Sequence, residues 1–215
     1  MGAGSSFPQR VDLRQSVCFP SLPVRSQGRV PECVSAAFAA ALYCALRRRG
    51  LQRLPDCPND VLPDTGQLHA RATTYCPGLT DGVTIACVLR ALADLYGAAL
   101  RALGCKPHPL PPSRTAICKA LGSGVPVVVG YRTDARRETF HADDATAAAL
   151  SYRLPPFQGP HMGAHCVLLL GYLLGPDVAL ARNSYGASWG LDGHFLIALS
   201  DLEDLAQCPD RWVLS

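Results

Sequence analysis

The sequence predicts an α+β fold in which a helical first half is followed by a mainly β second half. Two observations carry this. Apolar residues recur at helical spacing from Cys33 to Arg49 (CVSAAFAAALYCALRRR) and again from Ile85 to Tyr96. Beyond Gly122 the apolar runs become short and rich in β-branched residues: VPVVVGYR first, then stretches near 165–173, 178–184 and 194–199. At 215 residues the chain is long enough for one domain of two lobes, roughly 10–110 helical and 111–215 mainly β.

Residues 1–10 read as a loose lead. The long helix is expected to start at Cys33, because Pro31 keeps the preceding chain out of the helical region. Val34, Ala37, Phe38, Ala41, Leu42 and Ala45 share its apolar face. Arg47, Arg48 and Arg49 suit the negative end of the helix dipole, and Gly50 ends it. Residues 51–67, rich in Pro, Asp and Gly, read as loop. Ile85, Val88, Leu89, Leu92 and Tyr96 mark a second helix, with Asp81 or Thr84 as cap and Gly97 as stop. GCKPHPLPP (104–112) reads as a crossing between lobes, and Ser113 caps a short helix through Leu121. Residues 133–161 weaken in pattern and read as a surface excursion over the second lobe.

Composition excludes several classes. A net charge of +3 with 17% charged residues is too mild to point to nucleic acid or an anionic membrane. No 18-residue apolar run suggests a membrane span, and MGAGSSFPQRVDL lacks the apolar segment of a signal peptide. MGAGSS does fit the loose N-myristoylation pattern at Gly2. Ten cysteines without a signal read as thiols in a reducing, intracellular compartment rather than as a disulfide framework. No Cys-x-x-Cys pairing suggests zinc, so no metal and no cofactor is expected.

The chemistry centres on Cys33. A thiol at a helix N-terminus gains from the dipole, because the thiolate is the form that end stabilises. Gln27 lies six positions earlier, close enough for its amide to face the same pocket. His165 opens an apolar run (GAHCVLLLGY), and Asn183 sits in ARNSYGASWGLDGHFLI. His165 and Asn183 follow Cys33 by 132 and 150 positions. With Gln27-Gly28 ahead of the cysteine, Gly-x-His-x-Val-x-x-x-Gly-Tyr and Asn-Ser-x-Gly-x-x-Trp-Gly-x-x-Gly after it, the chain resembles the papain-like cysteine peptidases, whose His and Asn follow the Cys by roughly 130–150 residues.

The resemblance covers nearly the whole chain, weakest at 1–9 and 133–158. Val11-Asp12-Leu13-Arg14 resembles the start of the mature domain in that family, and the closing LEDLAQCPDRWVLS a short turn and terminal strand. Asp81-Gly82-Val83-Thr84 before a helix ending in Tyr96-Gly97 looks like a bacterial and viral branch. The resemblance implies a two-lobe fold with the catalytic helix in the first lobe and a barrel-like antiparallel second lobe. It implies a peptidase, most readily an endopeptidase, acting on a protein or peptide substrate. Cys33 would be the nucleophile, His165 the proton shuttle, Asn183 the group that orients it, and Gln27 an oxyanion donor. Gly82, Ala164, Tyr185 and Trp189 would border the substrate. The family's pro-segment is not seen ahead of Val11, and Met1 suggests an enzyme made without one.

Departures stand beside the match. Val30 occupies the place of a second, disulfide-bonded Cys in secreted relatives. Pro31-Glu32 precede the nucleophile where relatives have Gly-Ser, Val34 follows it where they have an aromatic, and Tyr185 stands where Trp is usual. Glu32 would raise the thiol's pKa if its carboxylate lay close. His69, His108, His141 and His161 read as solvated and His194 as structural, while Cys166 should turn to the opposite strand face from His165. Two alternatives remain: a non-catalytic peptide-binding protein of the same fold, and a thiol acyltransferase or deubiquitinase-like enzyme. Oligomeric state is not readable.

Overall fold

The computed structural model describes residues 7–16, 23–52, 63–138, 140 and 152–215. In chain order it has strand β1 (Arg10–Asp12), helices α1 (Cys33–Arg48), α2 (Thr65–Thr73) and α3 (Ile85–Ala102), strand β2 (Pro107–Pro109), and helix α4 (Arg114–Gly122). Strand β3 (Val127–Thr133), the one-turn helix α5 (Ala135–Glu138), strands β4 (Gly163–Leu173), β5 (Val178–Arg182) and β6 (His194–Ala198), helix α6 (Leu199–Glu203) and strand β7 (Asp210–Leu214) complete it.

Helix α1 is the axis of the fold. From Ala37 to Leu46 every residue is buried, so the helix is covered on all faces rather than along one stripe. Five of those ten residues are alanine, which lets the sheet and the other helices approach closely. The arginines that end it fold back on the helix, one of them onto a C-terminal carbonyl. Arg49 Nη1 donates to Ala45 O at 3.1 Å, and Arg47 Nε donates to the Tyr43 hydroxyl at 2.9 Å.

The strands form one antiparallel sheet in the order β2-β7-β3-β4-β5-β6, with β1 added along the far half of β4. Strand β4 is the hub. Its first seven residues pair with β3, and its last three pair with β1. Gly171 permits that second pairing, since a Cβ there would lie 2.2 Å from Val11 O. The sheet runs from β2 to β6 without closing, which corrects the expected barrel-like lobe. Proline at 107 and 109 makes β2 an edge, since neither residue can donate to another strand.

Other expectations change in detail. Helix α2 starts inside the stretch read as loop, with Asp64 accepting from Gln67 N. Its buried residues, Thr65, Leu68 and Ala72, are too few and too short in span to give a clear helical period. Helix α3 is capped by Thr84 but passes through Gly97 to Ala102, because Ala99 and Leu100 keep its apolar face buried for another turn. Cys76 and Cys87 form a disulfide, so the expectation of thiols throughout is corrected at this pair. The turn between α2 and α3 brings the two sulfurs together, which spacing alone did not reveal. Cys33, Cys44, Cys105, Cys118, Cys166 and Cys208 are free. Gly2, Cys18, Cys57, His141 and the alanine cluster at 142–150 lie outside the described residues. Among those described, no helix is long and apolar enough to cross a membrane, and no group of His, Cys, Asp or Glu is arranged to hold a metal ion.

Candidate active site

Cys33 is the first residue of α1, so its thiol sits where the helix presents N–H groups that have no intrahelical carbonyl. His165 is the third residue of β4, and Asn183 follows β5 directly. Strands β4 and β5 are neighbours in register, Leu168 opposite Arg182, which carries Asn183 alongside His165. The His165 Nε2–H donates to Asn183 Oδ1 at 2.8 Å, and Ser184 N donates to the same oxygen at 2.8 Å. With Nε2 committed to the amide, the other ring nitrogen is the one left to face Cys33.

The electrostatics follow from these contacts. Burial pushes the Cys33 thiol up, but the His165 hydrogen bond and charge, together with the N–H groups of Cys166 and Val34, outweigh it and hold the thiol below its ordinary pKa. For His165 burial works downward, and the interactions with Cys33, Asn183 and Glu138 raise it above its ordinary value. The two shifts describe one coupled pair that favours thiolate and imidazolium together.

Glu32 does not act as its position in the sequence suggested. It is 4% exposed, and its carboxylate is held by Arg25, Nε to Oε1 at 2.6 Å and Nη2 to Oε2 at 3.4 Å. The cation offsets the charge next to Cys33, and the expected upward push on the thiol is corrected accordingly. Seven residues separate Arg25 from Glu32, a spacing that no local sequence pattern marks as a pair.

Gln27 is fixed from both ends of its amide. Its Nε2 donates to Val30 O at 3.0 Å, and the Ser184 hydroxyl donates to its Oε1. Gln27 N also donates to Ser184 O at 2.8 Å, so the loop before α1 is tied to the residue after Asn183. One Nε2 hydrogen remains for a ligand. Tyr185 stacks on His165 with ring centroids 5.1 Å apart, and Trp189 meets Tyr185 edge-on at 5.5 Å. This aromatic roof keeps water from the His165–Asn183 bond, while Tyr185 itself stays 43% exposed.

A groove passes this cluster on two sides. One side is walled by Gly82, Val83, Ile85, Ala164 and Asp210 next to Cys33 and His165. Gly82 has φ +117°, and a Cβ on it would come 3.1 Å from Pro31 O, so only glycine lets this turn lie against the residues leading into α1. The other side is walled by Gln27, Gly28, Tyr185, Trp189, Thr133 and Glu138. All eight residues singled out in the sequence therefore border one groove. Sequence reasoning missed Arg25, Ser184 as the support of Gln27, and Glu138. The first two act through contacts that no local pattern marks, and Glu138 lies in the segment whose pattern is weakest.

The remaining histidines divide as follows. His108 and His161 are exposed; His69, expected to be solvated, is half-buried, and its Nδ1 has no partner among the described residues. Buried His194 donates from Nδ1 to the carbonyls of Leu191 and Asp192, and burial holds its pKa below the ordinary value.

No family model matches the chain. An uncharacterized peptidase C1-like protein of Acanthamoeba polyphaga mimivirus is 29% identical over 98 residues, 46% of this chain and 30% of that protein, so the chain matches less than a third of that relative's length. Among solved structures, xylellain, a cysteine protease from Xylella fastidiosa, superposes with a TM-score of 0.75 at 18% identity, over 98% of this chain and 87% of the other. Digestive procathepsin L 3 of Tenebrio molitor superposes with a TM-score of 0.64 at 17% identity, over 99% and 72%. Helix α1 on an antiparallel sheet, superposable along almost its whole length on both proteases, gives this chain the papain-like cysteine protease fold.

Proposed function

We propose that the protein is a thiol-dependent peptidase that cleaves peptide bonds in extended chains. The observation that carries this is the Cys33–His165–Asn183 arrangement, with the thiol shifted down and the imidazole shifted up by each other. Cys33 Sγ attacks the peptide carbonyl carbon as thiolate, and the carbonyl oxygen becomes an oxyanion. Gln27 Nε2–H and the Cys33 backbone N–H donate to that oxygen. His165 gives its proton to the amide nitrogen, the C–N bond breaks and the amine leaves. Water then loses a proton to His165 and attacks the thioester, which releases the carboxylic acid and restores the thiolate. Asn183 holds the ring in one tautomer through both steps. No step calls for a metal or a cofactor.

The groove continues past the reacting pair on both sides, which favours cleavage within a chain over trimming at an end. The test is labelling with an epoxide directed at active-site cysteines, read by intact mass and peptide mapping, alongside hydrolysis of a peptide library. Single modification at Cys33, lost in Cys33→Ala and slowed in His165→Ala, with cleavage at internal bonds, is expected. Equal modification of several cysteines, indifferent to His165, would sink the peptidase reading and leave a peptide-binding protein of this fold. Release of the acyl group to an added amine in preference to water would instead identify an acyltransferase.

A further inference from the structure

The side of the groove beyond Gln27 holds a charge that the reaction above does not use. Glu138 ends α5, a single turn that is fixed from behind. Arg137, next to it, borders the same groove, but its buried guanidinium is fully engaged within the protein: Nη2 with Asp201 at 2.7 Å and Gln207 at 3.1 Å, Nη1 with Arg132 O at 3.0 Å, and Nε with Pro155 O at 3.0 Å. Asp134 caps the same turn through Arg137 N at 2.9 Å. The Glu138 carboxylate thus stands on an anchored support and reaches toward the site, where its charge helps to raise both His165 and Tyr185. It has no ion pair or hydrogen bond among the described residues.

Its neighbours leave polar valences open. A methyl group on Gly163 would lie 3.1 Å from Thr133 Oγ1 and 3.3 Å from Glu138 Oε1, so the two oxygens flank one point on the wall of the groove. Thr133 is 4% exposed and Trp189 9%, and neither Thr133 Oγ1 nor Trp189 Nε1 has a hydrogen-bond partner among the described residues. Both residues line this part of the groove. The other ionisable groups there are accounted for. Arg137 is paired with Asp201, and His165 with Cys33 and Asn183. Tyr131 and Tyr185 stay neutral, burial lifting Tyr131 well above its ordinary pKa and Tyr185 to about 12. Among the described residues, this wall offers Glu138 no unengaged cation and Trp189 Nε1 no acceptor.

We propose that Glu138, with Thr133 beside it, makes this pocket a subsite for a lysine or arginine side chain of the peptide substrate, on the opposite side of Cys33 from Gly82. His165 and Gln27 border the same pocket, so the cation belongs to the leaving-group part, at the first or second residue after the cleaved bond. This rests on the peptidase reading above, and the experiment separates the two. A peptide library randomised at those two positions, analysed by mass spectrometry, is cleaved by the wild-type protein and by Glu138→Gln and Glu138→Lys. Wild type should favour Lys or Arg over Gln by about fivefold, as expected for one partly exposed ion pair. The preference should vanish in Glu138→Gln, reverse toward Asp or Glu in Glu138→Lys, and weaken with added salt. Cleavage by wild type without a basic preference, or a basic preference that survives Glu138→Gln, overturns the subsite and leaves the peptidase reading standing. No cleavage by wild type of any peptide overturns both.

Discussion

Cys33 and Cys166 flank the same histidine, and they differ in every property that governs thiol reactivity. Cys33 opens a helix, is partly accessible, and is held below its ordinary pKa by His165. Cys166 is the next residue after His165 in β4, yet it is 3% exposed and its thiol is raised well above the ordinary range, first by burial and then by the charges of Cys33 and Asp210. Strand alternation turns Cys166 into the core while His165 faces the groove. Proximity to the imidazole therefore does not by itself stabilise a thiolate. A helix N-terminus and a ring nitrogen aimed at the sulfur do. The consequences can be ranked by how much each substitution disturbs Cys33 while leaving Cys166 as it is.

The largest effect is expected from Cys33→Ala, which should lower kcat/KM for a good peptide substrate by about 10⁴-fold or more, the scale of losing a covalent nucleophile. Steady-state assays at matched protein purity check this. Activity within tenfold of wild type would mean that the chemistry runs through another group.

Next comes His165→Ala, read through the pH dependence of Cys33 alkylation. Because the Cys33 pKa is lowered from 9.0, thiolate persists to pH values where a free thiol is protonated. Because the His165 pKa is raised from 6.5, imidazolium persists above that value. The ion pair is populated between the two steps. Activity should fall on the acid side as Cys33 gains a proton and on the alkaline side as His165 loses one. Without the ring, burial is opposed only by the N–H groups of Cys166 and Val34 and the thiol pKa moves up, so alkylation at pH 6 should slow by about tenfold for each pKa unit regained. An unchanged alkylation profile would detach Cys33 from His165.

Gln27→Ala and Asn183→Ala sharpen the distinction between making the thiolate and using it. Gln27→Ala should cost about 10²–10³ in kcat/KM, the effect of one oxyanion donor, with Cys33 alkylation nearly unaffected. Asn183→Ala frees the His165 ring, so hydrolysis should drop by about 10²-fold and alkylation should slow with it. Arg25→Met is milder. It leaves the Glu32 carboxylate unpaired in the residue before Cys33, and the alkylation midpoint should rise by up to about one pKa unit. A midpoint that does not move would show that Glu32 takes up a proton or a water instead.

The sequence carried the frame of this molecule because its strongest signals are local. The helix at Cys33, the cap at Ser113, the β-branched run of β3 and the apolar run of β4 each depend on neighbours a few residues away. The four residues that meet around the groove are legible only through spacing and resemblance, since no local rule joins Gln27 to Ser184 or His165 to Asn183. What stayed hidden depends on three-dimensional pairing. Arg25 neutralises Glu32, Cys76 joins Cys87, and the sheet ends at β2 and β6 instead of closing. The proline- and glycine-rich approach to helix α2 masks a short amphipathic segment, so the pattern there predicts loop. Glu138 follows two arginines, Arg136 and Arg137, that look alike in sequence, and only the pairing of Arg137 with Asp201 shows that this neighbouring cation is taken.

The smallest effect belongs to Cys166→Ala, and it is the most direct test of the contrast. The substitution removes one buried sulfur from the packing of β4 against α1, which should lower stability by about 1 kcal/mol, measured as a shift of the denaturation midpoint at unchanged slope. Catalysis should hardly change. Cys166 assists Cys33 through its backbone N–H, and alanine keeps that donor in place. Cys166→Ala should therefore retain the wild-type rate and pH profile of Cys33 alkylation while unfolding more easily. If the profile shifts instead, the Cys166 side chain takes part in setting the thiolate, and the strand face it occupies is not the passive core that its burial implies.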